Sequence, residues 1–209
     1  MQNVGRLLIV YPVLAEIYKD NPKSFKRALL RNLDAFNTNP VMSSYSIGAI
    51  LKQEEKIVKT EDLKLPEEER ELRVISISTA NTAASLGDRL FWATLKPFSL
   101  LILIITLYVA HIYTFKNLDT PAEMTGAALG AVVLSLLIYN VPALLIRYKG
   151  LKDSYNGTED DFYGLIKINW NKIIYVLKSI GQILTFCIFV YSVYISFSDE
   201  ALSSDLLTK

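Results

Sequence analysis

Hydrophobic residues in this chain gather into runs, and the runs set its expected elements. Three are long and nearly free of charge: Phe98 to Phe115, Met124 to Ile146 and Ile173 to Phe197. A hydrocarbon core about 30 Å thick needs roughly 20 apolar residues in helical form, so each run is expected to cross a membrane. Each is expected to be helical because lipid offers the backbone no hydrogen-bond partner. The third carries Ser179, Gln182 and Thr185 within its apolar frame.

Residues 1–97 hold shorter apolar pieces. Leu8, Tyr11, Ala15 and Tyr18 recur at helical spacing and predict an amphipathic helix over Leu7 to Tyr18, packed on its own domain or lying on the membrane surface. Lys23 to Leu33 sets cations on one helical face and apolar residues on the other, a face suited to solvent or lipid headgroups. Val41 to Leu51 is apolar but too short to cross, which predicts a buried or re-entrant helix; Ser43, Ser44 and Ser46 fit a protein-covered or watery setting. Lys52 to Arg73 is dense in charge of both signs and divided by Pro66, which reads as a solvated helical hairpin or loop. Val74 to Leu86 has small polar residues and no charge, suited to tight helix packing within a membrane. The expected fold class is an all-α integral membrane protein: amphipathic and re-entrant helices over 1–97, three transmembrane helices over 98–198, and a short acidic tail over 199–209.

Charge adds sidedness. The formal net charge of the 209 residues is +1, so nothing argues for a nucleic-acid partner. Arg89 and Lys96 precede the first span, and Arg147, Lys149, Lys152, Lys167 and Lys172 lie between the second and third. The first hairpin loop has only Lys116, and Asp199, Glu200 and Asp205 follow the third span with Lys209. An excess of Lys and Arg marks the cytoplasmic side. The N-terminal half and the 147–172 loop are therefore expected inside and the C-terminus outside. No signal peptide is expected at Leu7 to Val13, and Asn156-Gly157-Thr158 falls on the wrong side for glycosylation. Cys187 is the single cysteine, so no intrachain disulfide forms.

The densest mixture of chemistries stands before the first span, in Gly87-Asp88-Arg89-Leu90-Phe91-Trp92-Ala93-Thr94-Leu95-Lys96-Pro97. Charges interleaved with glycine, aromatics and proline suggest a shaped polar site at membrane depth rather than a plain anchor. A second string, Asn32-Leu33-Asp34-Ala35-Phe36-Asn37-Thr38-Asn39-Pro40, is followed by Gly48-Ala49-Ile50-Leu51-Lys52-Gln53-Glu54-Glu55. It resembles a signature of the IID subunit of mannose-family sugar phosphotransferase permeases, in which Phe-Asn-Thr-x-Pro precedes a short apolar helix ending in Glu-Glu. The 87–97 string resembles that family's Gly-Asp-x-x-Phe-Trp-Gly-Thr-x-Arg-Pro. Weaker matches are Tyr139-Asn140, Arg147-Tyr148-Lys149-Gly150 with Tyr155, and the opening Leu7 to Tyr18 segment. The matches keep the family's order and spacing over about residues 7–190.

The resemblance implies a permease subunit of the bacterial cytoplasmic membrane that pairs with a IIC subunit to form a sugar path, in trimers of such pairs. A soluble IIB protein would phosphorylate the sugar as it emerges, and IIA would recharge IIB. Departures from the family pattern bear on transport. Asn81, Thr82 and Ser85 stand where Gly, Pro and Gly are usual, which predicts a differently shaped loop. Arg89 replaces a frequent Pro and Ala93 a Gly. The chain also stops after the third span, where members of the family continue. A transport-inactive regulatory or scaffolding relative is the alternative reading.

Candidate residues divide by chemistry. No cofactor is expected, since the sequence has no metal-ligand cluster, nucleophile–base pair or phosphate-cradling glycine loop. His111 and Cys187, the side chains that carry phosphate elsewhere, sit inside spans, and a packed or interfacial role is expected for both. Sugar binding needs donors and acceptors in a partly dry pocket with an aromatic face. Asn37, Thr38 and Asn39 supply such groups on a turn fixed by Pro40, or form an Asx turn capping the next helix. Asp88 either accepts from sugar hydroxyls or serves as an N-cap or a partner for Arg89 or Lys96. Trp92 either stacks on a sugar or anchors at the interface. Phe36, Pro40, Gly87, Phe91, Pro97 and Asn140 complete the motifs as structural positions; Asn140 is expected to hydrogen-bond between helices or, second, to line the pocket. Glu54-Glu55 is read as a helix end in the cytoplasm or as a sealing salt bridge with IIC, and Gly126 with Gly130 as a close helix contact.

Overall fold

The computed structural model describes residues 2–60, 65–117 and 121–207, and the side chains of these residues outside 110–125, 196 and 198–207. The described elements are helical: α1 (Gln2–Ile17), α2 (Pro22–Arg31), α3 (Ser43–Val58), α4 (Leu65–Gly87), a π-helical segment (Asp88–Leu95), α5 (Lys96–Asn117), α6 (Pro121–Asn156), a short 3-10 turn (Leu165–Lys167) and α7 (Trp170–Leu207). Three helical runs, Leu65–Val109, Gly126–Asn156 and Trp170–Ile195, are long and apolar enough to cross a membrane. The chain is an all-α membrane protein. It divides into two compact units, one formed by residues up to Trp92 with Asn140–Trp170, the other by Ala93–Tyr139 with residues from Asn171 on.

In the first unit α1 turns Arg6, Val10 and Leu14 inward, followed by Tyr18. These positions are one turn apart and pack on Ala28, Ile47 and Leu51. The predicted stripe was different: Leu8 and Tyr11 are 72% and 49% exposed. The helix is apolar on two sides, and spacing alone does not say which side the rest of the unit covers. Asn21 caps α2 by accepting the Ser24 N–H at 3.1 Å, with Pro22 in the first turn, where its missing N–H costs nothing. The cationic face of α2 is split rather than wholly outward, because Arg31 turns in toward α3.

α3 is the centre of this unit and is buried from Ser44 to Leu51. It is covered by its own unit, the protein-lined setting expected of it. It also continues to Val58, so Glu54-Glu55 is not a helix end, and Glu54 is fully buried. Of the charged 52–73 segment, the part up to Val58 is the end of α3 and the part from Leu65 is the start of α4, while 61–64 lie outside the described residues. Ile50, Ile57 and Leu72 close its inner face, with Phe36 and Leu65 against them. Lys56 pairs with Glu68 at 3.0 Å and Glu71 at 3.2 Å outside. Asn81, Thr82 and Ser85 fall inside α4, so the stretch expected to be a reshaped loop is helix. Asn, Thr and Ser carry none of the large helix penalties of Gly or Pro, so α4 continues through them.

The C-terminal part of α6 crosses α3 at small residues. A Cβ on Gly48 would lie 2.7 Å from the Leu151 carbonyl oxygen, and one on Gly150 would lie 2.7 Å from the Tyr45 ring. The Ser154 hydroxyl donates to the Tyr45 carbonyl. Beyond α6, Phe162, Tyr163 and Gly164 have φ of 48°, 52° and 77°, three successive left-handed residues. Asp161 holds them: it accepts the N–H groups of Thr158 and Gly164 at 2.9 and 2.8 Å and pairs with Lys167 at 2.9 Å. Burial opposes ionisation of this carboxyl, but the Lys167 contact and the two N–H donors outweigh it and hold its pKa below the ordinary value.

In the second unit Ser135 of α6 donates to the Ser99 carbonyl of α5 at 2.9 Å, and Tyr108 of α5 meets Tyr191 of α7 edge-on at 6.1 Å. The hydroxyls of Thr106 and Thr185 bond back to their own helices, which satisfies them without water. Gly126 and Gly130 have nothing within 4 Å of a built Cβ, so the expected close helix contact is not made within the described residues. Leu129, Val133, Leu137, Phe186 and Phe189 are exposed, the surface a membrane helix offers to lipid. The His111 side chain lies outside the described residues; Cys187 is exposed on α7.

Candidate functional site

The two motif strings meet in the first unit. Leaving α2, the chain runs without regular structure from Asp34 to Pro40 before α3. Asn39, buried there, uses both ends of its amide: Oδ1 accepts the Val41 N–H at 3.0 Å, and Nδ2 donates to Asp88 Oδ1 at 3.0 Å. The first bond is the expected Asx turn; the second joins positions 49 residues apart. Gly87 makes the approach possible, since any Cβ there would collide with the Asn39 side chain. The Ser43 N–H bonds to the Asn39 carbonyl at 2.9 Å and the Ser43 hydroxyl to the Pro40 carbonyl at 3.0 Å.

The other motif residues take distinct places. The Thr38 N–H bonds to Gln2 Oε1 at 2.8 Å, while its buried hydroxyl has no partner. Asn37 and Asp88 are exposed, Phe91 is buried, and Trp92 is 55% exposed. Pro97 is the second residue of α5, and Asn140 lies within α6. Phe36 is half-buried under Arg6, whose guanidinium carbon stands 4.5 Å from the ring centroid. The structure thus brings together Asn39, Gly87 and Asp88, with Thr38 buried beside them in the chain. The segment Asp88–Leu95 adopts π geometry, a form that recurs at functional sites.

Sequence reading missed a buried ionic network in the same unit. Glu54 accepts from the Tyr18 hydroxyl at 2.8 Å, Arg31 Nε at 3.0 Å, Arg31 Nη2, and Asn32 Nδ2 at 2.8 Å. Arg31 Nη1 reaches Glu69 at 2.9 Å. Arg6 donates to the carbonyls of Asn32 and Asp34 and to the Ser76 hydroxyl at 3.0 Å. A cleft of about 230 Å³ opens beside these groups, between Arg6, Arg31, Asp34, Glu69 and Arg73. Burial lowers the Arg6 pKa against the pull of Asp34 and Glu54. For Arg31 burial also acts downward, but the Glu54 hydrogen bond and charge outweigh it and the pKa is raised. Tyr18 is pushed well above its usual value by burial and by the Glu54 charge. The signal in the sequence was Arg31 on α2 and the glutamate pair, yet their meeting needs the fold.

These features define a helical membrane protein whose two polar motif strings are drawn together, the second within its first membrane-length helical run. The sequence profile of the PTS system mannose/fructose/sorbose family IID component matches residues 1–198. The chain belongs to that family. It is 25% identical over 156 residues to the PTS system mannose-specific EIID component of Escherichia coli (strain K12), a match covering 75% of this chain and 48% of that protein. It is 23% identical over 155 residues to the fructose permease IID component of Bacillus subtilis (strain 168), covering 74% and 48%. The chain spans about half the length of these relatives. Its fold is shared with a cryo-electron-microscopy structure of the mannose transporter ManYZ in complex with microcin E492, at TM-score 0.56 and 20% identity, over 90% of this chain and 61% of that one.

Proposed function

We propose that this chain forms half of a sugar path through the bacterial cytoplasmic membrane, completed by a IIC-type subunit in a trimer of such pairs. A soluble IIB protein, recharged by IIA, phosphorylates the sugar as it emerges, and the chain itself carries no phosphoryl group. Its N-terminus faces the cytoplasm and its C-terminus the outside, as the distribution of Lys and Arg favours.

The observation that carries this reading is the Asn39–Asp88 hydrogen bond. It joins the two strings that resemble the family signature at one polar point. In this reading the free oxygen of Asp88 accepts from sugar hydroxyls, Asn37 and the unpartnered Thr38 hydroxyl add polar contacts, and exposed Trp92 offers a ring face. Asn39 orients Asp88 rather than touching the sugar. Phosphoenolpyruvate-dependent uptake into vesicles carrying the chain with its IIC partner tests this. Asp88→Ala is expected to raise the half-saturating sugar concentration at least tenfold, about 1.4 kcal/mol, and Asn39→Ala to raise it less. Uptake identical with and without the chain would overturn the reading and favour a transport-inactive scaffold.

A further inference from the structure

Lys178 and Gln182 lie within the third membrane-crossing run, where polar side chains without a partner are costly. Neither makes a hydrogen bond or an ion pair with any described residue. With Thr185 they fall at i, i+4 and i+7, on one face of α7. That face borders a groove of about 890 Å³ between α5 and α7 in the second unit. Apart from Thr94 the remaining walls are apolar and include Phe98, Leu101, Ile104, Phe186 and Phe189. Its floor is Gly181, where a built Cβ would stand 3.5 Å from the Phe98 ring.

The chemistry is graded along the groove. Lys178 lies five residues into the apolar run that starts at Ile173, about 8 Å along the helix axis. Its four-carbon stem lets the ammonium reach headgroup depth. Gln182 sits one turn deeper, and beyond Thr185 only apolar groups follow. A cation at one end, an amide next and hydrocarbon beyond match an amphiphile with one anionic head. A free sugar, polar on all sides, does not fit that gradient. A phospholipid carries its phosphate at the depth where Lys178 ends, and basic pockets between membrane helices bind such headgroups.

We propose that this groove binds one anionic phospholipid, its phosphate on Lys178 Nζ, an ester carbonyl accepting from the Gln182 amide, and an acyl chain along Phe186 and Phe189. Native mass spectrometry tests this on the full chain in the complex with which it purifies, after delipidation in non-ionic detergent. Phosphatidylglycerol or phosphatidylcholine of matched acyl chains is then added back. One phosphatidylglycerol per copy is expected to be retained, preferred over phosphatidylcholine by about fivefold, the worth of one cation near a headgroup. Lys178→Gln is expected to bring that preference close to one and Lys178→Arg to keep it. Lys152→Gln, the same charge change outside the groove, is expected to leave it alone, and Gly181→Phe to weaken retention of both lipids. Equal retention of both lipids by the wild-type chain overturns the proposal. So does a Lys178→Gln effect no larger than that of Lys152→Gln. Exclusion of both lipids, with Gly181→Phe changing nothing, overturns it in favour of a protein occupant. If Lys178→Gln does not fold, the wild-type preference and the Arg and Phe variants still decide.

Discussion

Replacing Glu54 with alanine tests how the first unit is held together. The side chain is fully buried and accepts from the Tyr18 hydroxyl, from two nitrogens of Arg31 and from the Asn32 amide. Removing one partner of a buried ion pair costs about 3–5 kcal/mol, mostly because the other charge stays buried. Arg31 retains Glu69 at 2.9 Å, which sets its own share near the lower end, about 3 kcal/mol. The Asn32 amide loses an acceptor, adding about 1 kcal/mol. A loss of about 4 kcal/mol takes much of the 5–15 kcal/mol that holds a typical domain together. Both tryptophans, Trp92 and Trp170, lie in this unit, so intrinsic fluorescence during heating in detergent reports on it alone. The unfolding midpoint of Glu54→Ala is expected to fall by roughly 15 °C. The double variant Arg31→Met with Glu54→Met removes both charges and keeps the volume, and it is expected to lie within about 2 kcal/mol of the wild type. A midpoint unchanged in Glu54→Ala, or a double variant as weak as the two single losses added, would refute the reasoning.

Gly48→Ala and Gly150→Ala each place a Cβ against a fixed neighbour, the Leu151 carbonyl and the Tyr45 ring. Each is expected to cost about 1–3 kcal/mol in the same fluorescence assay, whereas Gly5→Ala in α1 of the same unit, with open space around it, is expected to cost nothing. The Tyr45 phenol is buried without a hydrogen-bond partner, so Tyr45→Phe is expected to leave stability at neutral pH unchanged or raise it by up to about 1 kcal/mol. Burial and the Asp153 charge push the Tyr45 pKa from 10.0 up to about 12. A raised folded-state value makes its stabilisation complete below 10.0 and lost as pH climbs toward about 12. Thermal midpoints across that range are expected to fall less steeply in Tyr45→Phe than in the wild type.

The spans were legible because each apolar run is long enough to have one interpretation in a bilayer. The ends of the chemistry were legible in part. The Asx turn at Asn39 follows from Asn before Pro40, but its second bond, to Asp88, depends on the absence of a side chain at Gly87. The buried face of α1 was misread because Arg6 belongs to it: a cation on the inner stripe breaks the apolar count, and only the carbonyls of Asn32 and Asp34 explain its burial. Glu54 was misplaced for the same reason, since a glutamate in the interior requires Arg31 from another helix. Gly126 and Gly130 show the opposite error. Their spacing is right for a close contact, yet nothing in the described residues approaches them.

Asp161 governs more than the turn in which it sits. Left-handed backbone is unfavourable at Phe162 and Tyr163, which are not glycine. The turn persists because one carboxylate ties Thr158, Gly164 and Lys167 to the same point, while Gly157 leaves no room between itself and Gly164. The link between α6 and α7 is therefore a clasp and not a tether. A protease must draw its substrate out straight before cutting, and a strand curled in the wrong hand and buttoned at three places does not straighten. Lys167, though on the surface, is a poor foothold for trypsin as long as the button holds.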